Sequence, residues 1–255
     1  VPSFTTSDGQ NIHYRALGKG DPVVLVHGWM VSGAVWDPIV DALVEAGKQL
    51  IIPDQRGTGS SGKPARGYTL EQYAADLIEL VDAAGLDRFK LVGHSMGGQI
   101  SQLAATQLGD RIESLTLVCT VPASGIPLPD ELVRLFRGCG SNPEAQTKIL
   151  GMACKQLDDD GLRSLLATAA TVSDACIAEA FDSWTAGGFA DRLAAITCKT
   201  HVLGTDDPFL PPEFLKQAVV EPIANAEFVY LPGPGHYPQN ESPKPTAAKL
   251  RELLA

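Results

Sequence analysis

Phe89-Lys90-Leu91-Val92-Gly93-His94-Ser95-Met96-Gly97-Gly98 begins as an apolar strand, turns through a G-x-S-x-G pentapeptide and opens a helix. Phe89 to Val92 read as a buried strand, and Gln99 to Leu108 carry Ile100, Leu103, Ala104 and Leu108 at helical spacing. A serine at the tip of so tight a strand-to-helix turn is pushed into strained backbone angles, and only glycine neighbours let the chains on either side pack closely. The free N–H groups of the helix N-terminus then lie beneath the hydroxyl, where they favour developing negative charge. Ser95 is therefore the candidate nucleophile.

A hydroxyl is a poor nucleophile at neutral pH, so Ser95 needs a base and a group to orient that base, in the chain order serine, carboxylate, histidine. Thr200 to Leu203 read as a short apolar strand, and turn-rich Gly204-Thr205-Asp206-Asp207-Pro208 puts two adjacent carboxylates at its carboxyl end. Ala226 to Leu231 read as the next strand. Pro232-Gly233-Pro234-Gly235-His236 follows it, a loop able to hold an imidazole over the sheet edge. There His236 accepts the serine proton through one ring nitrogen, while a carboxylate fixes its tautomer through the other.

The rest of the chain supplies the frame. Phe4 to Thr6 and Ile12 to Ala16 form an expected hairpin around Ser7-Asp8-Gly9, and Val23 to Val26, Leu50 to Ile52 and Leu115 to Cys119 complete the strands. Between them lie helices: Val35 to Ala46, ending at Gly47, and Thr69 to Ala84, opening with a Thr69-x-x-Gln72 capping box and ending at Gly85. This alternation places the chain in the α/β class, with a mostly parallel central sheet covered on both faces. From Pro122 to Arg192 the pattern turns wholly helical (Pro129 to Arg137, Pro143 to Gln156, Gly161 to Ala170, Asp174 to Ala186). Residues 1–121 and 193–255 are thus expected to form the core. Residues 122–192, inserted after the sixth main strand, read either as an ordinary helical layer that only packs or as a helical cap that excludes water and selects substrate.

These segments together resemble the α/β-hydrolases with a serine nucleophile, in particular the bacterial esterases that include the cofactor-free haloperoxidases, or perhydrolases. The resemblance rests on His27-Gly28-Trp29 after the Val23 to Val26 strand, on Pro53-Asp54-Gln55-Arg56-Gly57-Thr58-Gly59-Ser60-Ser61, and on the serine, aspartate and histidine segments. It covers nearly the whole chain outside residues 122–192, and it implies a helical cap there, since that is where the family carries one. In many haloperoxidases the nucleophile turn reads G-F-S-T-G-G, where this chain has Gly93-His94-Ser95-Met96-Gly97-Gly98. The resemblance implies an oxyanion hole made by the backbone N–H groups of Met96 and Trp29. It also selects Asp207 over Asp206 as the acid, since the family's acid stands three residues after the strand-ending glycine and before a frequent proline.

Among the five histidines, His13, His94 and His201 read as structural, and His27 as a group that fixes the oxyanion loop by a backbone hydrogen bond. Asp54 and Arg56 read as braces of their glycine-rich loop. Trp29 and Phe209 are candidate substrate-binding residues, with Leu132, Leu135, Phe136, Phe181 and Trp184 of the cap as further candidates for an apolar acyl pocket, set against packing within the cap itself.

Composition narrows the function further. The chain has 255 residues, 44% of them hydrophobic, and a formal charge of −10, which speaks against nucleic acid or an anionic membrane as partner. No apolar run is long enough to span a bilayer, and the odd set of five widely spaced cysteines fits neither a disulfide framework nor a zinc site. The chain reads as a soluble cytoplasmic serine hydrolase that cleaves small to medium carboxylic esters or lactones without metal or cofactor. Serine at position 95, where dehalogenases and epoxide hydrolases of this fold carry aspartate, speaks against those reactions. Perhydrolysis, carbon–carbon bond hydrolysis and ligand binding with little turnover are the alternatives.

Overall fold

The apolar runs pair into one eight-stranded sheet. In the computed structural model, which describes residues 2–255, the strands are β1 (Ser3–Thr5), β2 (Asn11–Leu17), β3 (Asp21–Val26), β4 (Lys48–Pro53), β5 (Phe89–His94), β6 (Ile112–Val118), β7 (Lys199–Gly204) and β8 (Ala226–Tyr230). They lie in the order β1-β2-β4-β3-β5-β6-β7-β8. β1 and β2 are antiparallel to their neighbours, and the strands from β4 to β8 are parallel. β5 is buried along its whole length, as a central parallel strand covered on both faces must be.

The helices are α1 (Asp37–Glu45), α2 (Leu70–Ala83), α3 (Met96–Leu108), α4 (Asp130–Arg137), α5 (Pro143–Ala153), α6 (Asp159–Ala169), α7 (Asp174–Ala186), α8 (Pro212–Leu215), α9 (Pro238–Glu241) and α10 (Pro243–Leu253). α2 packs beside α3 and α1 beside α10. The first helix begins two residues later than its periodicity predicts, after a 3-10 turn over Gly33–Trp36. Pro38 sets that boundary, because proline lacks the N–H a helix interior requires and fits only in the first turn. α2 keeps only half of the expected capping box. The Thr69 hydroxyl accepts the Gln72 N–H at 3.3 Å, but the Gln72 side chain donates to Asp76 at 3.2 Å instead of returning to Thr69.

β3 lies between β4 and β5, so the chain leaves it towards one side of the sheet and later continues on the other. In open parallel sheets the crevice outside the carboxyl ends at such a switch point is where ligands bind. Here those ends carry the 27–29 loop and Ser95. Helices α4 to α7 all fall between β6 and β7, with no strand among them. Among the described residues no single helix is long and apolar enough to cross a membrane.

Candidate active site

β5 ends at His94 and α3 starts at Met96, which leaves Ser95 alone on the corner at φ 56° and ψ −124°. A non-glycine residue there costs about 1–3 kcal/mol and persists only where its surroundings over-determine it. Main-chain bonds do so: the Ser95 N–H donates to Val118 O at 3.0 Å, and its carbonyl accepts from Gly98, Gln99 and Val121. A Cβ on Gly97 would strike the carbonyls of Val26 and His27, and one on Gly93 would meet Gly97 O at 2.5 Å. The two glycines are therefore what lets α3 sit against the ends of β3 and β5.

Three side chains distant in sequence meet at this corner. Ser95 Oγ is 2.9 Å from His236 Nε2, and His236 Nδ1 is 2.6 Å from Asp207 Oδ2. A carboxylate only accepts, so Nδ1 carries the proton and donates to Asp207. Nε2 is left to accept from Ser95. The other Asp207 oxygen accepts the Phe209 N–H at 2.8 Å, and the side chain is fully shielded from solvent. Asp206 faces elsewhere: it accepts from the Tyr230 hydroxyl and, at 2.9 Å, from the Gly233 N–H. Of the two adjacent carboxylates, Asp207 therefore holds the imidazole, and Asp206 braces the loop that leads to it.

The 27–29 loop closes the other side. Gly28 lies so near the nucleophile that a Cβ on it would come within 2.9 Å of Ser95 Cβ. His27 Nε2 accepts the Gln55 N–H at 3.0 Å, which leaves the proton on Nδ1 to donate to Gly28 O at 2.8 Å. Gln55 Nε2 returns a bond to His27 O at 2.6 Å. Among the described residues neither the Trp29 nor the Met96 N–H donates to any acceptor. Free main-chain donors of this kind, fixed beside a nucleophile, can receive an oxyanion without reorganising. The Asp54 and Arg56 braces act separately: Asp54 accepts from Gly33 and Ser60, while Arg56 holds Asp76 at 2.5 and 2.6 Å and Asp8 at 2.9 and 3.2 Å. Among the described residues no three His, Cys, Asp or Glu side chains converge on a metal-sized site.

Sequence comparison decides the family. A model of the alpha/beta hydrolase fold matches residues 21–140. The non-heme chloroperoxidase of Streptomyces lividans is 30% identical over 265 positions, spanning 92% of this chain and 92% of that protein. The chain belongs to the α/β-hydrolase fold family. The non-heme haloperoxidase of Rhodococcus erythropolis is 27% identical across 92% of this chain and 93% of its own length. A solved esterase (EaEST) from Exiguobacterium antarcticum matches with a TM-score of 0.92 over 99% of this chain and 98% of that one; at 22% identity it speaks for the fold alone.

His94 does more in this α/β-hydrolase than its structural reading foresaw. It is fully buried, and its Nε2 lies 2.7 Å from the His236 carbonyl, so Nε2–H donates and steadies the backbone of the residue that faces Ser95. A helix-and-strand pattern gives no sign of this bond, because its partner is 142 residues away. Burial pushes the pKa of His94 and His27 below the ordinary imidazole value of 6.5, with the His236 charge a further cause for His94. The folded protein therefore disfavours protonating either ring, whereas the unfolded chain takes up protons near pH 6.5. Folding stability should therefore be complete above that pH and fall as the pH drops through it, by up to about 1.4 kcal/mol per pH unit for each histidine. Urea titrations between pH 7.5 and 5.5 measure this, and a flat profile would contradict it.

Ser95 and His236 open into a cavity whose walls are otherwise apolar. Trp29, Val121 and Phe209 line it from the α/β-hydrolase core, and Phe136, Ile149 and Trp184 from the helical insertion. The Trp29 indole donates to Ile177 O at 2.9 Å and stacks on Phe136 with ring centroids 5.6 Å apart. Trp29 and Phe209 thus both line this cavity, as do Phe136 and Trp184. Leu132, Leu135 and Phe181 do not line the cavity. Phe181 packs against Trp29, Phe136 and Trp184, filling the space beside those rings. Ile126 and Leu128 line the cavity without having been singled out. They lie eight and ten residues beyond the end of β6 at Val118, in the stretch that leads into α4, where no periodicity marks them.

Proposed function

We propose that the protein is a serine hydrolase that cleaves small to medium carboxylic esters or lactones through an acyl-enzyme. The observation that carries this reading is the hydrogen-bonded line from Ser95 through His236 to Asp207 at the floor of an apolar cavity. Ser95 Oγ attacks the ester carbonyl while His236 Nε2 takes its proton, and Asp207 keeps the imidazole oriented and balances the charge it gains. The Trp29 and Met96 amides hold the oxyanion, each donor worth about 3–4 kcal/mol in comparable sites. His236 then gives its proton to the departing alcohol, and water attacks the acyl-enzyme by the same relay in reverse. No step asks for a metal or organic cofactor. The 122–192 segment acts in this reading as the cap: Phe136, Ile149 and Trp184 cover the acyl chain and keep bulk water from the cavity, while a single water at His236 completes the deacylation.

A panel of p-nitrophenyl esters of rising acyl length, with lactones and with hydrogen peroxide plus acetate, tests the proposal. Turnover is expected with short and medium esters or with lactones. The relatives named as haloperoxidases favour perhydrolysis as a second reading, and peroxide-dependent activity exceeding ester hydrolysis would establish it instead. No turnover on any arm would favour a binding protein.

Trp29→Ala separates the side chain from the backbone donor. Removing the indole takes away the ring stacked on Phe136 and leaves the amide in place. Preference should move towards bulkier acyl groups by about 10-fold, the scale on which apolar pockets discriminate. An unchanged acyl-length profile would show that Trp29 does not bound the acyl site.

A further inference from the structure

The ring of His236 is aimed by Asp207, but its backbone is held by groups from two separate parts of the chain. Its N–H donates to Ala153 O, at the end of α5, at 3.0 Å, and its carbonyl accepts from His94. Gly235 approaches the chain leaving α5 so closely that a Cβ on it would strike the Ala153 carbonyl and come within 3.0 Å of Cys154 Cα and Lys155 N. One side chain completes this seam. Glu241 Oε2 accepts the N–H groups of Gly235 at 2.8 Å, Lys155 at 2.7 Å and Gln156 at 2.9 Å, and Oε1 accepts the Tyr237 N–H at 2.9 Å.

Glu241 is 9% exposed and, among the described residues, forms no ion pair. A carboxylate so buried needs donors around it, and here four main-chain N–H groups supply them. Two flank His236, and two belong to the turn that leaves α5. The same helix contributes Ile149 and Ala153 to the wall of the cavity.

We infer that Glu241 is a positioning residue that fixes the His236 loop and the α5 wall of the acyl site as one unit. Seating an acyl group against α5 and presenting Nε2 to Ser95 then depend on the same carboxylate. This rests on the serine hydrolase reading above.

Glu241→Gln fills the same volume but replaces one acceptor oxygen with an NH₂ donor, so whichever way the amide turns at least one N–H of the seam faces another donor. The variant should lose about 10- to 100-fold in kcat, the scale of a small misplacement of a reacting group. KM should stay within about 3-fold of the parent, and the dependence of kcat on acyl length should flatten. Ser242→Ala removes a 3.1 Å bond to Gln156 on the same seam without touching the amides beside His236, and should leave kcat unchanged. An arm that needs no variant is hydrogen exchange of the parent before and after phosphonylation of Ser95 by a hexyl fluorophosphonate. Amides 155–156 and 235–237 should gain protection together. Parental kcat in Glu241→Gln, even with a lowered thermal midpoint, would overturn the inference, as would protection at 235–237 with none at 155–156. Failure of the phosphonate to label Ser95 would sink the underlying hydrolase reading instead, which separates the two failures.

Discussion

Replacing Ser95 with alanine is expected to leave a folded protein whose ester hydrolysis has fallen by roughly 10⁶-fold, the loss seen when a nucleophile of this type is removed. The fold should survive because the corner is built by the backbone: the bond donated to Val118 and those accepted from Gly98, Gln99 and Val121 use the Ser95 main chain and not its hydroxyl. Alanine gives up only the 2.9 Å bond to His236. The oxyanion donors and the cavity remain, so substrate should still bind while the acyl-enzyme cannot form. A fluorophosphonate should label the parent at Ser95 and nowhere else. Full activity in the variant, or labelling of another serine, would refute Ser95 as nucleophile.

The second large effect concerns the adjacent aspartates. Asp207→Asn should lower turnover by about 10⁴-fold through the wrong tautomer, by analogy with the protease triad. The surroundings dictate the outcome. The Phe209 N–H at 2.8 Å claims the oxygen of the new amide, so its NH₂ faces His236 Nδ1. Nδ1 must then accept, the ring proton moves to Nε2, and Nε2 can no longer take the proton of Ser95. Asp206→Asn keeps an acceptor for either Tyr230 or Gly233 and touches no part of the imidazole, so its cost should stay below about 10-fold. Steady-state kinetics on both variants decide the matter, and the reverse ranking would overturn the assignment.

Much of this molecule is legible along the chain because its information is local. The strand at Phe89 to Val92, the glycines around Ser95 and the helical period after it need only near neighbours to be read, and the same holds for the strand-ending loops that carry Asp207 and His236. Boundaries shift by one or two residues where a local competitor intervenes, as Pro38 does for α1. The half-made capping box of α2 has a longer cause. Gln72 turns to Asp76, a carboxylate that Arg56 anchors from a separate loop.

The class of the fold, the serine corner and the order of its partners can be read along the chain, since each follows from steric and hydrogen-bonding demands within a few residues. Packing in three dimensions sets which face each side chain presents. It turned Phe136 and Trp184 into the cavity while Phe181 packs against them, because helical spacing marks an apolar stripe without saying what lies opposite. It also brought His94 to the His236 carbonyl and Glu241 to the amides of Lys155 and Gln156. Those contacts join residues separated by 142, 86 and 85 positions. Buried polar groups must find partners wherever the fold delivers them, and no periodicity in the chain records where that will be.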